Sequence, residues 1–439
     1  MLLDIVDKNR KPARFKAKYF ELELRNTSKE PGIALNAPLN PSSNPMPDMK
    51  FLKTPGAVIS NNGQSLRLTA SESGTDDSLW IGSFDGGGFT TLVGYAMLEN
   101  GVRVEGQLLL PGGKKEMDIP KRSAGSKIAS YWLLTNGNPA DEDDKEKSKG
   151  NSNEGDGLTA YQEYRGIWSQ GKWRQLDPRK KELAVRVDEL DLFVKGLQVL
   201  SDASEVIVIP LKKEELPEDR QLNKNVSEKV HEQYAMWLVN GAVKKGLGEN
   251  SPKEKKNKLP KDSDTVLVDI AKMRAKYEEL RKAFADSNFV IPFTLEHWIK
   301  TTTAHELAHG IGVDHHGPNS DESPRRIETG QNMFRIYAND GKTEIKDRHY
   351  DINNNIGIPG GDASGDLSCM MAYALFYQWA LHKEGGFFIY YAVPILSDGV
   401  GLCISSKGTG INKSGGNKVN YFGDATDGNC LGKIKVRDE

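Results

Sequence analysis

The hydrophobic positions of this chain change their period along its length. In residues 14–24 and again in 65–68, apolar and polar residues alternate in short runs bounded by Asn-Gly, Pro-Gly and Pro-rich turns, which predicts strands. The strongest case is residues 90–98, then Glu99-Asn100-Gly101, then residues 102–110, where Val102, Val104, Leu108 and Leu110 share one face across an Asn-Gly hairpin. Pro111-Gly112-Gly113 closes that run, and residues 127–135 predict one more apolar strand. Residues 1–137 therefore read as an N-terminal all-β, sandwich-like domain. Three roles suit such a domain: a packing module or spacer, a module that binds a surface glycan or protein, or a fold-assisting pro-domain.

Residues 138–157 are acidic and polar and predict an interdomain linker. Its end carries a finer pattern. Ser152-Asn153-Glu154-Gly155-Asp156-Gly157 leading to Glu163 matches the oxygen-ligand loop of an EF-hand at its third, fifth, sixth and twelfth positions, with serine where the first aspartate would stand. The stretch reads either as a calcium loop using Glu154, Asp156 and Glu163 or as a capped turn before a helix.

From residue 158 onward strand and helix periods mix. Residues 183–187 and 205–210 predict buried strands on either side of a helix over 190–201, the opening of an α/β unit. Residues 230–243 predict a helix, 244–262 a Lys-, Pro- and Gly-rich insertion, 270–284 an amphipathic helix and 289–293 a short strand. A further helix is expected from about Leu295, a strand over 333–338, and a helix over 372–383 before the apolar run 387–396. The fold class is multidomain, with the all-β domain followed by an α/β domain over 158–439.

Chemistry concentrates in residues 301–316, where four of the chain's eight histidines fall within the last twelve positions. On a helix, His305 and His309 project from one face a turn apart, as two imidazoles sharing a metal ion must. Glu306 follows the first of them and can accept a proton from a water activated by that metal. Gly312 reaches positive φ without a Cβ penalty, so the helix can stop there and the chain can bring His315 back to the same ion. Three neutral nitrogens with a fourth position open is the arrangement of a catalytic zinc site. His316 adds a spare imidazole that competes with His315 for the third place.

The spacing His-Glu-x-x-His-x-x-Gly-x-x-His resembles the metzincin clan of zinc metallopeptidases. That resemblance implies a methionine-bearing turn beneath the metal, and Ser368-Cys369-Met370-Met371-Ala372-Tyr373 meets the demand, with Met371 as the apolar floor and Met370 its off-by-one rival. It further implies a zinc endopeptidase: Glu306 as general base and acid, Tyr373 as a stabiliser of the oxyanion, and a protein or peptide substrate whose pocket is shaped by the stretch between His316 and Met371. The resemblance is strong over the two motifs, general over residues 160–439, and absent from the first 140 residues. His316, the residue after the third histidine, points to no particular family within the clan.

Composition narrows the picture from outside. With 59 basic and 61 acidic residues the net charge is −2, which offers no clustered basic excess for nucleic acid. No apolar run reaches the ~18–20 residues that cross a bilayer. Cys369, Cys403 and Cys430 lie in the last 71 positions, and a Cys403–Cys430 bridge around a Gly/Asn/Ser/Lys loop is one reading, three thiols the other. The bridge implies an oxidising compartment, hence an extracellular or cell-surface protein whose signal peptide is absent from this sequence. No cysteine precedes Cys369, which excludes a cysteine-switch inhibitor. Two other functions remain beside the endopeptidase: a surface-binding protein with a vestigial zinc site, and a zinc hydrolase of a non-protein amide.

Overall fold

The computed structural model describes residues 16–37, 39, 45–69, 79–108, 113–222, 231–244, 246–252, 263–283, 293–315, 326–330, 333–337, 369–371, 374–377, 389–392, 401–407 and 428–437. The chain is mixed α/β with a sheet-rich N-terminal region, and it divides into two compact units. The first holds the described parts of Met1–Asp143 and Leu158–Pro178, and the second holds those of Asp144–Gly157, Arg179–Leu222 and His231–Glu439.

In the first unit the strands are β1 (Ala17–Arg25), β2 (Met49–Phe51), β3 (Ala57–Ile59), β4 (Ser65–Thr69), β5 (Ile81–Ser83), β6 (Thr90–Leu98), β7 (Arg103–Glu105) and β8 (Glu116–Ile119). They form a six-stranded antiparallel sheet in the order β3-β4-β1-β6-β7, with β8 on the same edge of β6 as β7, and a β2-β5 ribbon. Alternation places Leu22, Leu24, Leu66, Leu68 and Leu92 on one face, and Phe51 of the ribbon closes over them. The expected Asn-Gly hairpin is present, with Gly101 at φ 81 and Ala96 opposite Val104, but its return strand is only three residues long.

One short helix within residues 1–137 qualifies the all-β expectation. Residues 127–135, expected as a strand, fold as α1 (Ser130–Thr135), whose Trp132 and Leu133 pack with Tyr161 and Tyr164 of α2 (Ala160–Arg165). An apolar run of this length fits either a strand or a helix, and here the aromatic partners decide. A two-stranded ribbon of β9 (Ile167–Ser169) and β10 (Lys172–Arg174) follows, and the buried Arg165 guanidinium is held by Asp85 at 2.6 Å.

The second unit is built on β11 (Glu182–Val187), α3 (Leu190–Ser204), β12 (Ile207–Leu211), β13 (Met236–Asn240), β14 (Gly248–Pro252), β15 (Ser263–Val268), α4 (Ile270–Ala283) and α5 (Leu295–Gly310). The sheet order is β12-β11-β13-β15-β14, parallel except for β14, which runs antiparallel to β15 at the edge. The expected strand–helix–strand is thus β11-α3-β12. The helix expected over 230–243 is instead strand β13, whose Met236 and Leu238 are buried inside the parallel sheet. Helix α5 packs on α3 so closely that a Cβ at Gly196 would lie 2.5 Å from the Thr303 Cβ. Its buried face joins Leu183, Val185, Phe193, Ala304, Leu307 and Ala308 in one core.

Beyond α5 the backbone pairs β16 (Arg326–Gly330) with β17 (Met333–Tyr337), and β18 (Ala374–Tyr377) with β19 (Ile389–Ala392). The strand β18 lies where a helix over 372–383 was expected, because cross-strand pairing with β19 satisfies its backbone. The strand expected over 289–293 falls almost wholly outside the described residues. No helix among the described residues is long and apolar enough to cross a membrane.

The stretch expected as a linker is not an exposed spacer. Asp144, Glu146, Ser148, Asn151 and Asp156 are all buried. A polar run can be buried when its groups find partners, and Asp144 Oδ1 accepts the Asp156 N–H at 2.8 Å while Asn151 Nδ2 donates to the Ile434 carbonyl at 2.9 Å.

Candidate metal centre

Helix α5 starts at Thr294, whose hydroxyl accepts the His297 N–H at 3.0 Å and satisfies one of the donors left open at a helix start. It ends where Gly312 takes φ 85, with the Gly312 N–H donating to the His309 carbonyl at 3.1 Å and the Val313 N–H to the Ala308 carbonyl at 3.0 Å. This reversal brings His315 back to the helix face. The Nε2 atoms of His305, His309 and His315 stand 3.1 Å from one another in all three pairs.

The orientation of two rings is fixed from behind. His305 Nδ1–H donates to the Met370 carbonyl at 2.6 Å, and His309 Nδ1–H donates to the Val313 carbonyl at 2.8 Å. A carbonyl accepts only from an N–H, so each of these rings carries its proton on Nδ1 and turns the Nε2 lone pair toward the shared centre. Three lone pairs so close repel unless a cation or a proton lies among them. A tetrahedral zinc with Zn–N of ~2.0–2.1 Å holds its nitrogens about 3.3 Å apart, so the donor set fits that ion.

Glu306 is 8 % exposed, and burial together with the Glu249 carboxylate pushes its carboxyl up to about 8. It faces the edge strand: a Cβ at Gly248 would fall 2.6 Å from Glu306 Oε1 and 2.7 Å from its Cδ. Asn250 Nδ2 donates to the Glu306 carbonyl at 3.3 Å. A carboxyl group beside a metal centre can pass a proton between a bound water and a leaving group.

The methionine segment meets the histidines through its backbone. Met370 N–H donates to the Gly401 carbonyl at 2.9 Å, which holds the Met370 carbonyl against His305. Met370 and Met371 are both fully buried in the core that includes Ala304, Leu307 and Ala308. Tyr373 and His316 lie outside the described residues. All three cysteines are buried thiols, with Cys369 Sγ 3.8 Å from Cys430 Sγ and the Cys403 N–H donating to Cys369 Sγ at 3.4 Å, which is the second of the two readings of the sequence.

Of the three residues read as a calcium loop, Glu154 is on the surface and paired with Lys147 at 2.6 Å, Asp156 is completely buried, and Glu163 is buried in α2 behind a Thr159–Gln162 capping box. The sequence pattern missed strand β14, because Gly-Glu-Asn-Ser-Pro carries no apolar alternation, and it missed the Met370 and Val313 carbonyls, which no side-chain pattern marks.

No family model, no curated protein and no solved structure matches the chain.

Proposed function

We propose that this chain is a zinc-dependent endopeptidase of the metzincin type, with His305, His309 and His315 holding the ion and Glu306 moving the protons. The observation that carries the reading is the 3.1 Å triangle of Nε2 atoms, with two of its rings set by backbone carbonyls. Zinc bound there would polarise the scissile carbonyl and lower the pKa of a water.

The chain's own groups supply the rest. Glu306 takes a proton from the attacking water and returns it to the leaving amine, one group serving both transfers. Burial excludes competing solvent from its carboxylate. Among the described residues strand β14 ends the sheet, and an extended peptide can pair with such an edge through its backbone, which favours a polypeptide substrate over a small amide. In this reading the second unit is the catalytic domain, and the sheet-rich first unit is an accessory domain.

The test is metal analysis of the purified full chain coupled to cleavage of unfolded casein. About one zinc per chain is expected, with cleavage stopped by a chelator and restored by added zinc. Absence of zinc, or cleavage that survives its removal, contradicts the proposal.

A further inference from the structure

A second group of metal-ligating side chains lies in the second unit, away from the histidines. The carboxylates of Asp144, Glu146 and Asp156 converge so that their ligand oxygens lie within 4.8 Å of one another, and all three residues are buried. Glu146 is 8 % exposed, and its Oε1 has no hydrogen-bond partner although it is sealed from solvent. A buried carboxylate oxygen left without a donor is costly, and native proteins supply such a group with an ion or a proton. Two residues on, the Ser148 hydroxyl is likewise buried without a partner.

The local charges do not balance. The three carboxylates Asp144, Glu146 and Asp156 meet the two cations Lys181 and Arg437, which leaves negative charge in excess. Arg437 is engaged with Asp144 at 2.8 Å, and the Lys181 ammonium donates to the Asn153 carbonyl at 2.7 Å. Neither cation offers Glu146 Oε1 a hydrogen bond.

We propose that Asp144, Glu146 and Asp156 form a calcium site. The donor set is oxygen alone, the preference of a hard cation. Two oxygens on one calcium ion stand at most ~4.6–5.2 Å apart, twice the metal–oxygen distance, and the three carboxylates fall inside that span. A cation also offsets the excess of negative charge.

The site ties together three parts of the second unit. The Glu182 N–H of β11 donates to Asp156 Oδ2 at 2.5 Å, Arg437 reaches Asp144, and two residues before Arg437 the Lys435 N–H donates to the Ile311 carbonyl at 2.8 Å, at the turn that carries His315. Calcium therefore braces the segment against which the α5 turn is held.

The experiment uses the full chain stripped of metal and reloaded with one equivalent of zinc, titrated with calcium chloride by calorimetry and thermal unfolding. One calcium per chain is expected, with Tm raised by about 5 °C or more when calcium exceeds its Kd a hundredfold. Glu146→Gln should lose that response while keeping its zinc and unfolding, without calcium, at or above the wild-type Tm. Glu154→Gln, altered at an exposed position, should respond like wild type. No heat and no shift at millimolar calcium, an undiminished response in Glu146→Gln, loss of response in Glu154→Gln, or an equal response to magnesium would each overturn the proposal. The zinc content, read separately, keeps its outcome distinct from that of the peptidase reading.

Discussion

His305 and Met370 are 65 residues apart in sequence, yet the Nδ1–H of the first donates to the carbonyl of the second at 2.6 Å. The bond joins the helix that bears the histidines to the methionine segment, and it fixes which ring nitrogen faces the centre. The methionine that meets His305 in this way is Met370, through its backbone carbonyl.

His309 supplies one corner of the Nε2 triangle, and nothing else among the described residues stands in its place. His309→Ala should therefore lose zinc by metal analysis and lose cleavage with it, while far-ultraviolet circular dichroism stays unchanged. Retention of a full zinc equivalent would show that these nitrogens are not the ligands.

Met371→Leu replaces one fully buried apolar side chain by another of similar volume, a change that costs less than about 1.5 kcal/mol. The variant should keep zinc and most activity, with a modestly lower denaturation midpoint. Loss of the metal would mean that the methionine does more than fill the floor of the site.

Gly248 is a sharper probe, because the Cβ of an alanine there would press on the Glu306 carboxylate. Gly248→Ala should retain zinc, lose some stability because the buried Glu306 side chain must shift, and lose kcat by tenfold or more, with KM changed less. Equal loss of zinc and activity would point to a folding defect instead.

Glu146 makes stability depend on pH when calcium is absent. Its folded carboxyl titrates at about 9 against an ordinary value of 4.5, so between these values the native state holds a proton that the unfolded chain has released. Rising pH then favours unfolding, by up to about 1.4 kcal/mol per unit, until the folded carboxyl itself ionises. Burial is the largest cause, the Asp156 and Asp144 carboxylates push the same way, and only the Lys181 ammonium and a backbone hydrogen bond pull against them, so the sign holds. Denaturation followed from pH 5 to 9 should show a fall in the calcium-free wild type, and a smaller fall in Glu146→Gln or with calcium added. A flat wild-type profile would contradict it.

The readable and unreadable parts of this chain divide along physical lines. Strands β1, β4 and β6, helices α3, α4 and α5 and the three histidines follow from local period and spacing, because each buries one regular face or presents one ligand row. Strand β13 and helix α1 do not, since short apolar runs suit either state and long-range partners choose between them. Asp144 and Glu146 sit in a stretch whose charge suggested an exposed linker; only the fold reveals that Arg437 and Ile434, nearly 300 positions later, return to cover it. Strand β14, which borders Glu306, carries no pattern at all.

In the proposed reaction zinc sits on the three histidines and Glu306 carries the protons, two roles that Glu306→Gln separates. Measured together on purified protein, zinc content and casein cleavage should separate: about one zinc per chain, as in wild type, with kcat lower by on the order of a hundred- to ten-thousandfold and KM little changed. Cleavage at near wild-type rate by a zinc-loaded Glu306→Gln chain would contradict the account, because the base would then lie elsewhere.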